Sequence, residues 1–392
     1  MRDGIDRRAM IALSGGHLAV DFASGSVPAL IPFLTDRYDL SYALAAMLLL
    51  AATVSSSLVQ PLFGLWSDRR GALWLIPGGT ILGAVGVGFA AVSPYYPLAL
   101  VLVFAGGLGI AAFHPEGAKY AAFASGYKRA SGMSYFNIGG NTGYALGAFV
   151  TGLLVGAMGL GGGLLAMLPV AVFAGVLLRY VPHFGTLDPS AVAADGLGED
   201  DRRAMAQLGT VIALRGIAWF TLLAFVPLWA VSLGHSKAYG NRLLFLMLLA
   251  GAFGTLVLGP VADRVGLRRT LVVTQALVPP LMLVFIYGGG IAGVVALMLV
   301  GMCVVGTFGV TMVLSQLYLP QHIGMASGIS VGLAMGIGGV AAVVLGAVAD
   351  VVDLRVALTI SALPPLLGVV ASLRLPRPKT VPRRAPAPVV VD

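Results

Sequence analysis

Charge is scarce in this chain: 10% of the residues are Asp, Glu, Lys or Arg, and only two of the 16 acids are glutamates, Glu116 and Glu199. A single cysteine, Cys303, excludes an intramolecular disulfide; lying within an apolar run, it is expected to pack rather than react. No phosphate-binding loop, nucleotide-binding motif, metal-ligand cluster or Ser-His-Asp set at a plausible depth is found. ATP-driven work, metal chemistry and hydrolysis therefore have no basis in the sequence, and neither an enzyme nor a cofactor is expected. What the chain holds instead is apolar: 58% hydrophobic residues, 54 glycines and a mean hydropathy of +0.94. Apolar stretches of about 20 residues recur along it, each long enough to cross ~30 Å of hydrocarbon. Unbroken runs without alternation read as helices, because a lipid environment leaves only helices or closed barrels.

The net charge of +8 would by itself admit nucleic acid as a partner. The positions of the cations argue otherwise. With the N-terminus taken as cytoplasmic, 19 of the 24 lysines and arginines fall in cytoplasmic segments. Four (Arg37, Lys237, Arg242 and Arg355) fall on the opposite side, and Arg215 lies inside a span. This bias is the positive-inside rule, and it predicts that both termini are cytoplasmic. Nucleic acid is not an expected partner.

Residues 1–9 are basic and precede no small-residue cleavage site, so the first helix is expected to be an uncleaved anchor. Helices are expected over roughly 10–34, 42–66, 73–92, 97–120, 131–157 and 161–181, and again over roughly 205–232, 241–261, 270–288, 291–319, 326–349 and 354–374. This divides the chain into a six-helix bundle at 1–181, a polar cytoplasmic linker at 182–204, a second bundle at 205–375 and a disordered Pro- and Arg-rich cytoplasmic tail at 376–392. Two echoes relate the bundles. Gly64-Leu-Trp-Ser-Asp-Arg-Arg-Gly71 shares Gly, Asp, Arg and Gly, at the same spacing, with Gly259-Pro-Val-Ala-Asp-Arg-Val-Gly266. Ala130-Ser-Gly132 likewise matches Ala326-Ser-Gly328, each opening a Gly-dense helix. A repeat of half the chain means two related halves. The loop motif, between the second and third helices of each half, resembles that of the major facilitator transporters. That resemblance implies an all-α membrane protein of twelve transmembrane helices in two pseudo-symmetric bundles, each built of inverted three-helix repeats. It also implies that Asp68 and Arg69, with Asp263 and Arg264 in the second copy, gate the cytoplasmic side.

A charge at the centre of a membrane helix costs about 2.5–3.5 kcal/mol on the insertion scale, so each one calls for a reason. His17 and Asp21 are four residues apart on one face of the first helix, where a pair of titratable groups could hold and release a proton; a packing hydrogen bond is the other reading. His114-Pro-Glu116 lies toward the cytoplasmic end of the fourth helix, with Lys119 one turn on. It reads either as a second protonatable station or as a gate in which Glu116 pairs with Lys119 or a loop arginine. Arg215 keeps its charge and needs a carboxylate, water or an anionic ligand. Asp21, on the pseudo-equivalent helix, is the expected internal partner, and protonating it would free Arg215 for an anionic substrate. Asn137, Asn141 and Tyr144 form a polar stripe on the fifth helix and, with Gln316, would line a cavity or bond between helices.

His17-x3-Asp21, Val27-Pro-Ala-Leu-Ile-Pro-Phe33, Phe113-His-Pro-Glu116, Gly139-Gly-Asn-Thr-Gly-Tyr-Ala-Leu-Gly147 and Arg215 before Phe225-Val-Pro227 together resemble the fosmidomycin-resistance branch of the major facilitators. Drug antiporters of the superfamily often carry Gly-Pro in the fifth-helix motif, where this chain has Gly147-Ala148. The resemblance implies a proton-driven exporter of the bacterial inner membrane, with an anionic phosphonate antibiotic among its substrates. The chain is accordingly expected to move small, drug-like molecules by alternating access, as a monomer among membrane lipids. Proton-coupled uptake of an organic anion would use the same residues. A lipid scramblase or a non-transporting receptor is the reading from another class.

Overall fold

Each short turn between spans is made by a residue that ends one helix or caps the next. Asp39, at φ 51°, terminates the first helix, and the Ser41 hydroxyl then accepts from the Leu44 N–H at 3.3 Å to begin the second. Asp6, Asp201, Ser236 and Asp353 cap in the same way, accepting from the N–H three residues on at 3.1, 2.9, 3.2 and 2.7 Å. Such caps satisfy otherwise orphaned donors and contribute about 1 kcal/mol each. The computed structural model describes residues 5–60, 62–64, 66, 72–126, 129–187, 199–321 and 323–376. Asp68, Arg69, residues 188–198 of the linker and nearly all of the tail lie outside them.

Twelve helices in the described residues are long and apolar enough to cross a membrane, and no strand occurs among those residues. They are α1 (Arg7–Tyr38), α2 (Tyr42–Ser57, its span running on to Gly64), α3 (Leu75–Val92), α4 (Tyr96–Ser125), α5 (Arg129–Met158) and α6 (Gly161–Phe184) in the first half. The second half has α7 (Arg202–Ser232), α8 (Lys237–Val265), α9 (Leu267–Gly288), α10 (Gly290–Tyr318), α11 (Ile323–Val351) and α12 (Leu354–Leu373). Several run past the expected ends. Helix α4 continues five residues beyond 120, α8 starts at Lys237 rather than 241, and α6 passes through Pro182. Hydropathy marks only the part of a helix that meets hydrocarbon, whereas caps set where the helix stops.

Burial sorts the spans. In their most apolar stretches α7 is 83% buried and α1 and α3 are each 67%, against 28% for α8 and 39% for α6, α11 and α12, so α7 is the most enclosed span and α8 the most exposed. Outward faces carry large apolar side chains such as Leu168, Val172, Phe253 and Leu256, as a lipid-facing surface requires.

The tightest crossing is α1 on α5. Gly139, Gly143 and Gly147 recur every four residues, and a Cβ on them would collide with the carbonyl oxygens of Ser14, Leu18 and Phe22. Backbones can approach this closely only where small residues form the interface, and in lipid it is packing that drives helices together. The second half repeats the device. A Cβ on Gly216 of α7 would meet the Ala334 backbone of α11 at 2.6 Å, and one on Gly338 of α11 would meet that of Gly216 at 2.6 Å.

The halves are joined at the end where α1 stops and α2 begins. Asp350, near the C-terminus of α11, accepts from the first N–H groups of α2, Tyr42 at 2.6 Å and Ala43 at 3.0 Å. Asn241 of α8 donates to the Ala29 carbonyl of α1 at 3.0 Å, Lys237 pairs with Asp36, and Phe149 packs on Phe245 with ring centroids 4.6 Å apart. On the outer flank of the α2–α11 seam, a groove of about 590 Å³ is lined by Val54, Leu58, Ile217, Val340 and Ile360. It has almost no polar wall and offers nothing for polar recognition.

Candidate functional site

Helical spacing puts His17 and Asp21 on one face of α1, and the packing of α4 against α1 brings His114 to the same point. His17 Nε2 lies 3.2 Å from Asp21 Oδ2, and His114 Nε2 lies 3.2 Å from Asp21 Oδ1. One carboxylate therefore spans two imidazoles from different helices. Each ring is oriented through its other nitrogen: His17 Nδ1 donates to the Phe136 carbonyl of α5, and His114 Nδ1 to the Ile110 carbonyl of α4, both at 2.8 Å. His17 also stacks on Phe136, with centroids 4.1 Å apart. A carbonyl can only accept, so both rings carry their proton on Nδ1 when neutral, and both Nε2 atoms face the carboxylate.

Where the sequence offers no metal-ligand spacing, the fold gathers three possible ligand atoms within 4.8 Å of one another. Each Nε2 takes a separate carboxylate oxygen, so one acid bridges the two rings. Gly140 of α5 makes room for it. A Cβ there would lie 2.5 Å from His17 Cε1 and 2.7 Å from Asp21 Oδ2. The sequence marks Gly140 only as one of several helix-packing glycines, and the Gly139-Gly140 doublet was the available signal for more.

Glu116 is held apart from this cluster. It is fully buried, with Oε1 accepting from the Ala72 N–H at 3.2 Å and Oε2 2.5 Å from Lys119 Nζ. It thus ties α4 to the chain just before α3, and stands two residues along α4 from His114 rather than in the triad.

The expected Asp21–Arg215 pair does not form. Asp21 is taken by the two histidines, and Arg215 is satisfied by α10: Nη1 donates to Thr307 Oγ1 at 2.7 Å and Nη2 to Thr311 Oγ1 at 3.4 Å, while Cζ sits 4.6 Å from the Phe308 ring centroid. Both hydroxyls donate onward to backbone carbonyls, which leaves their lone pairs for the guanidinium. Helix α10 is interrupted at Thr307, the residue that receives the arginine. Arg215 is 2% exposed and makes no ion pair with a described residue. Thr307 and Thr311, four residues apart on α10, were the missed signal for its partners.

The stripe on α5 runs from exposed Asn137 through half-buried Asn141 to Tyr144. Tyr144 lies within electrostatic reach of Asp21 and packs against the buried cluster that both halves share, so this face of α5 looks toward the second half. Gln316 is half-buried on α10, five residues past Thr311. Asp263 and Arg264 stand exposed at the end of α8.

Arranged so, the molecule has two separately satisfied polar centres in an apolar bundle: an acid between two imidazoles in one half, and a cation among hydroxyls in the other. Comparison with known proteins places the chain among transporters. An uncharacterized MFS-type transporter, YfnC, of Bacillus subtilis is 30% identical over 375 residues, covering 91% of this chain and 90% of that protein. The fosmidomycin resistance protein of Escherichia coli is 28% identical over 368 residues, covering 91% and 90%. Among solved structures, a bacterial homologue of the human lysosomal transporter Spinster superposes with a TM-score of 0.77 at 13% identity, covering 94% of this chain and 97% of that one, a likeness of fold. YfnC is named as a transporter, and this chain is a transporter rather than an enzyme, a multi-pass protein of the inner membrane. The model of the Major Facilitator Superfamily matches residues 13–343 and 208–389, and the chain belongs to that family.

Proposed function

We propose that the protein is a proton-coupled exporter of small anionic molecules, driven by the proton gradient and working by alternating access between its two halves. The observation that carries this reading is the separation of its charges. Asp21, His17 and His114 form a proton site in the first half. Arg215, buried beside Thr307 and Thr311 with no carboxylate on it, awaits an anion in the second. A desolvated guanidinium recognises a phosphonate or carboxylate through its planar fork of donors. Similarity to a fosmidomycin resistance protein supports a phosphonate as substrate. Because the two centres do not pair, coupling runs through the packing of the helices rather than through direct competition between Asp21 and Arg215.

Asn137, Asn141, Tyr144 and Gln316 line the path between the halves in this reading. Asp68 and Arg69, with Asp263 and Arg264, close it on the cytoplasmic side, and Glu116 anchors the neighbouring loop. With the N-terminus cytoplasmic, the Asp350 seam is extracytoplasmic, and the conformation described is the one sealed outward. The monomer suffices, since both centres lie within one chain.

The test is fosmidomycin flux into proteoliposomes loaded with a pH dye, wild type beside Asp21→Asn. Protons should move against the drug, and the variant should fold but show no proton signal. Proton movement in the same direction as the drug would replace export by uptake. Drug flux with no proton movement in the wild type would remove the coupling altogether.

A further inference from the structure

The orientation of the two imidazoles constrains how many protons the site holds. Each Nδ1 is committed to a backbone carbonyl, which accepts in every protonation state, so exchange can occur only at the two Nε2 atoms and the carboxylate between them. With no proton in either contact, a carboxylate would face two nitrogen lone pairs at 3.2 Å, and both contacts would repel. One proton satisfies one contact and leaves the other repulsive. Two protons satisfy both, whether the second sits on an imidazole or on the acid, and the triad then carries a net charge of +1. Three groups this close titrate as a unit rather than as individual residues.

The surroundings leave the count to the triad itself. Facing Asp21 are His17 from α1, His114 from α4 and the phenol of Tyr144 from α5; Glu116 and Lys119, two and five residues past His114 on α4, pair with each other. Gly140 closes the remaining side without offering a polar side chain.

We infer that the compact triad is the doubly protonated form and that the transporter exchanges two protons per cycle, with His114 as the second carrier. The inference rests on the proton role proposed above. It also names the moving part: losing a proton turns one 3.2 Å contact from attractive to repulsive, so deprotonation pushes α4 away from α1, the helix on which α5 packs.

The experiment is a static-head measurement in proteoliposomes with the membrane potential clamped at zero. Under those conditions each coupled proton contributes a tenfold fosmidomycin gradient per pH unit. A one-unit gradient should sustain a drug ratio of about 100 in the wild type and about 10 in His114→Gln. A ratio near 10 in the wild type, or one unchanged in the variant, overturns the inference while leaving proton coupling intact. Two substrate-free measurements decide the same point if fosmidomycin moves no protons or His114→Gln fails to fold. Imidazole ¹⁵N spectra at high pH should show the Nδ1–H tautomer at both His17 and His114, and an Nε2–H tautomer at either overturns the inference. Proton uptake on acidification, wild type minus the His17→Gln/Asp21→Asn/His114→Gln variant, should be two per chain; a difference of one overturns it.

Discussion

Arg215 and Asp21 each meet the same problem, a charge in an apolar bundle, and solve it differently. Asp21 is neutralised by groups that share its protons. Arg215 cannot lose its charge and, among the described residues, is hydrogen-bonded only to neutral hydroxyls, so its electrostatic demand stays open. Charged hydrogen bonds contribute about 1.5–3 kcal/mol, which converts to roughly 10- to 150-fold in affinity. Arg215→Ala should weaken fosmidomycin binding by about that factor while leaving a neutral transported compound nearly unaffected. Arg215→Lys should recover part of it, since the charge remains and the planar fork does not. Equal losses for anionic and neutral compounds, measured by competition in the same vesicles, would remove the anion role.

Among the elements, α5 does two things with one surface. Its glycine stripe lets α1 lie against its backbone, and that contact sets where His17 and Asp21 stand relative to Phe136 and Gly140. A methyl group on Gly143 would collide with the Leu18 carbonyl and force the helices apart. Gly143→Ala should cost about 1–3 kcal/mol, the range for overpacking a tight interface, and lower the thermal unfolding temperature in detergent. Wild-type stability in that variant would show that the crossing is looser than described. Proton coupling should suffer with it, because the triad is built across the same crossing.

For the whole molecule, the seam at Asp350 decides which side is shut. Its carboxylate sits on two N–H groups at the start of α2, where the helix dipole favours a negative charge. Asp350→Ala should release about 1–2 kcal/mol of that closure and shift the closed-to-open ratio roughly 5- to 30-fold. The single native cysteine makes this measurable: after Cys303→Ser, spin labels at Tyr95→Cys and Val352→Cys report the distance between halves. The variant should populate a longer distance than its parent, and an unchanged distribution would show that the remaining contacts, Asn241 to Ala29 and Lys237 to Asp36, hold the seam without it.

By itself the sequence determined what is local or periodic. Apolar run length set twelve spans, the Gly-x3-Asp-Arg echo paired the halves, i,i+4 spacing put His17 beside Asp21, and i,i+3 spacing put Lys119 beside Glu116. Only the tertiary structure decided partners that come from other helices. Opposite charge made Asp21 and Arg215 look like a pair, yet attraction acts only over the distance that packing allows, and the glycine crossings gave each a nearer companion: His114 from α4, and Thr307 with Thr311 from α10. Residue types name the chemistry a chain can perform, while the contact order of its helices selects which of those groups meet.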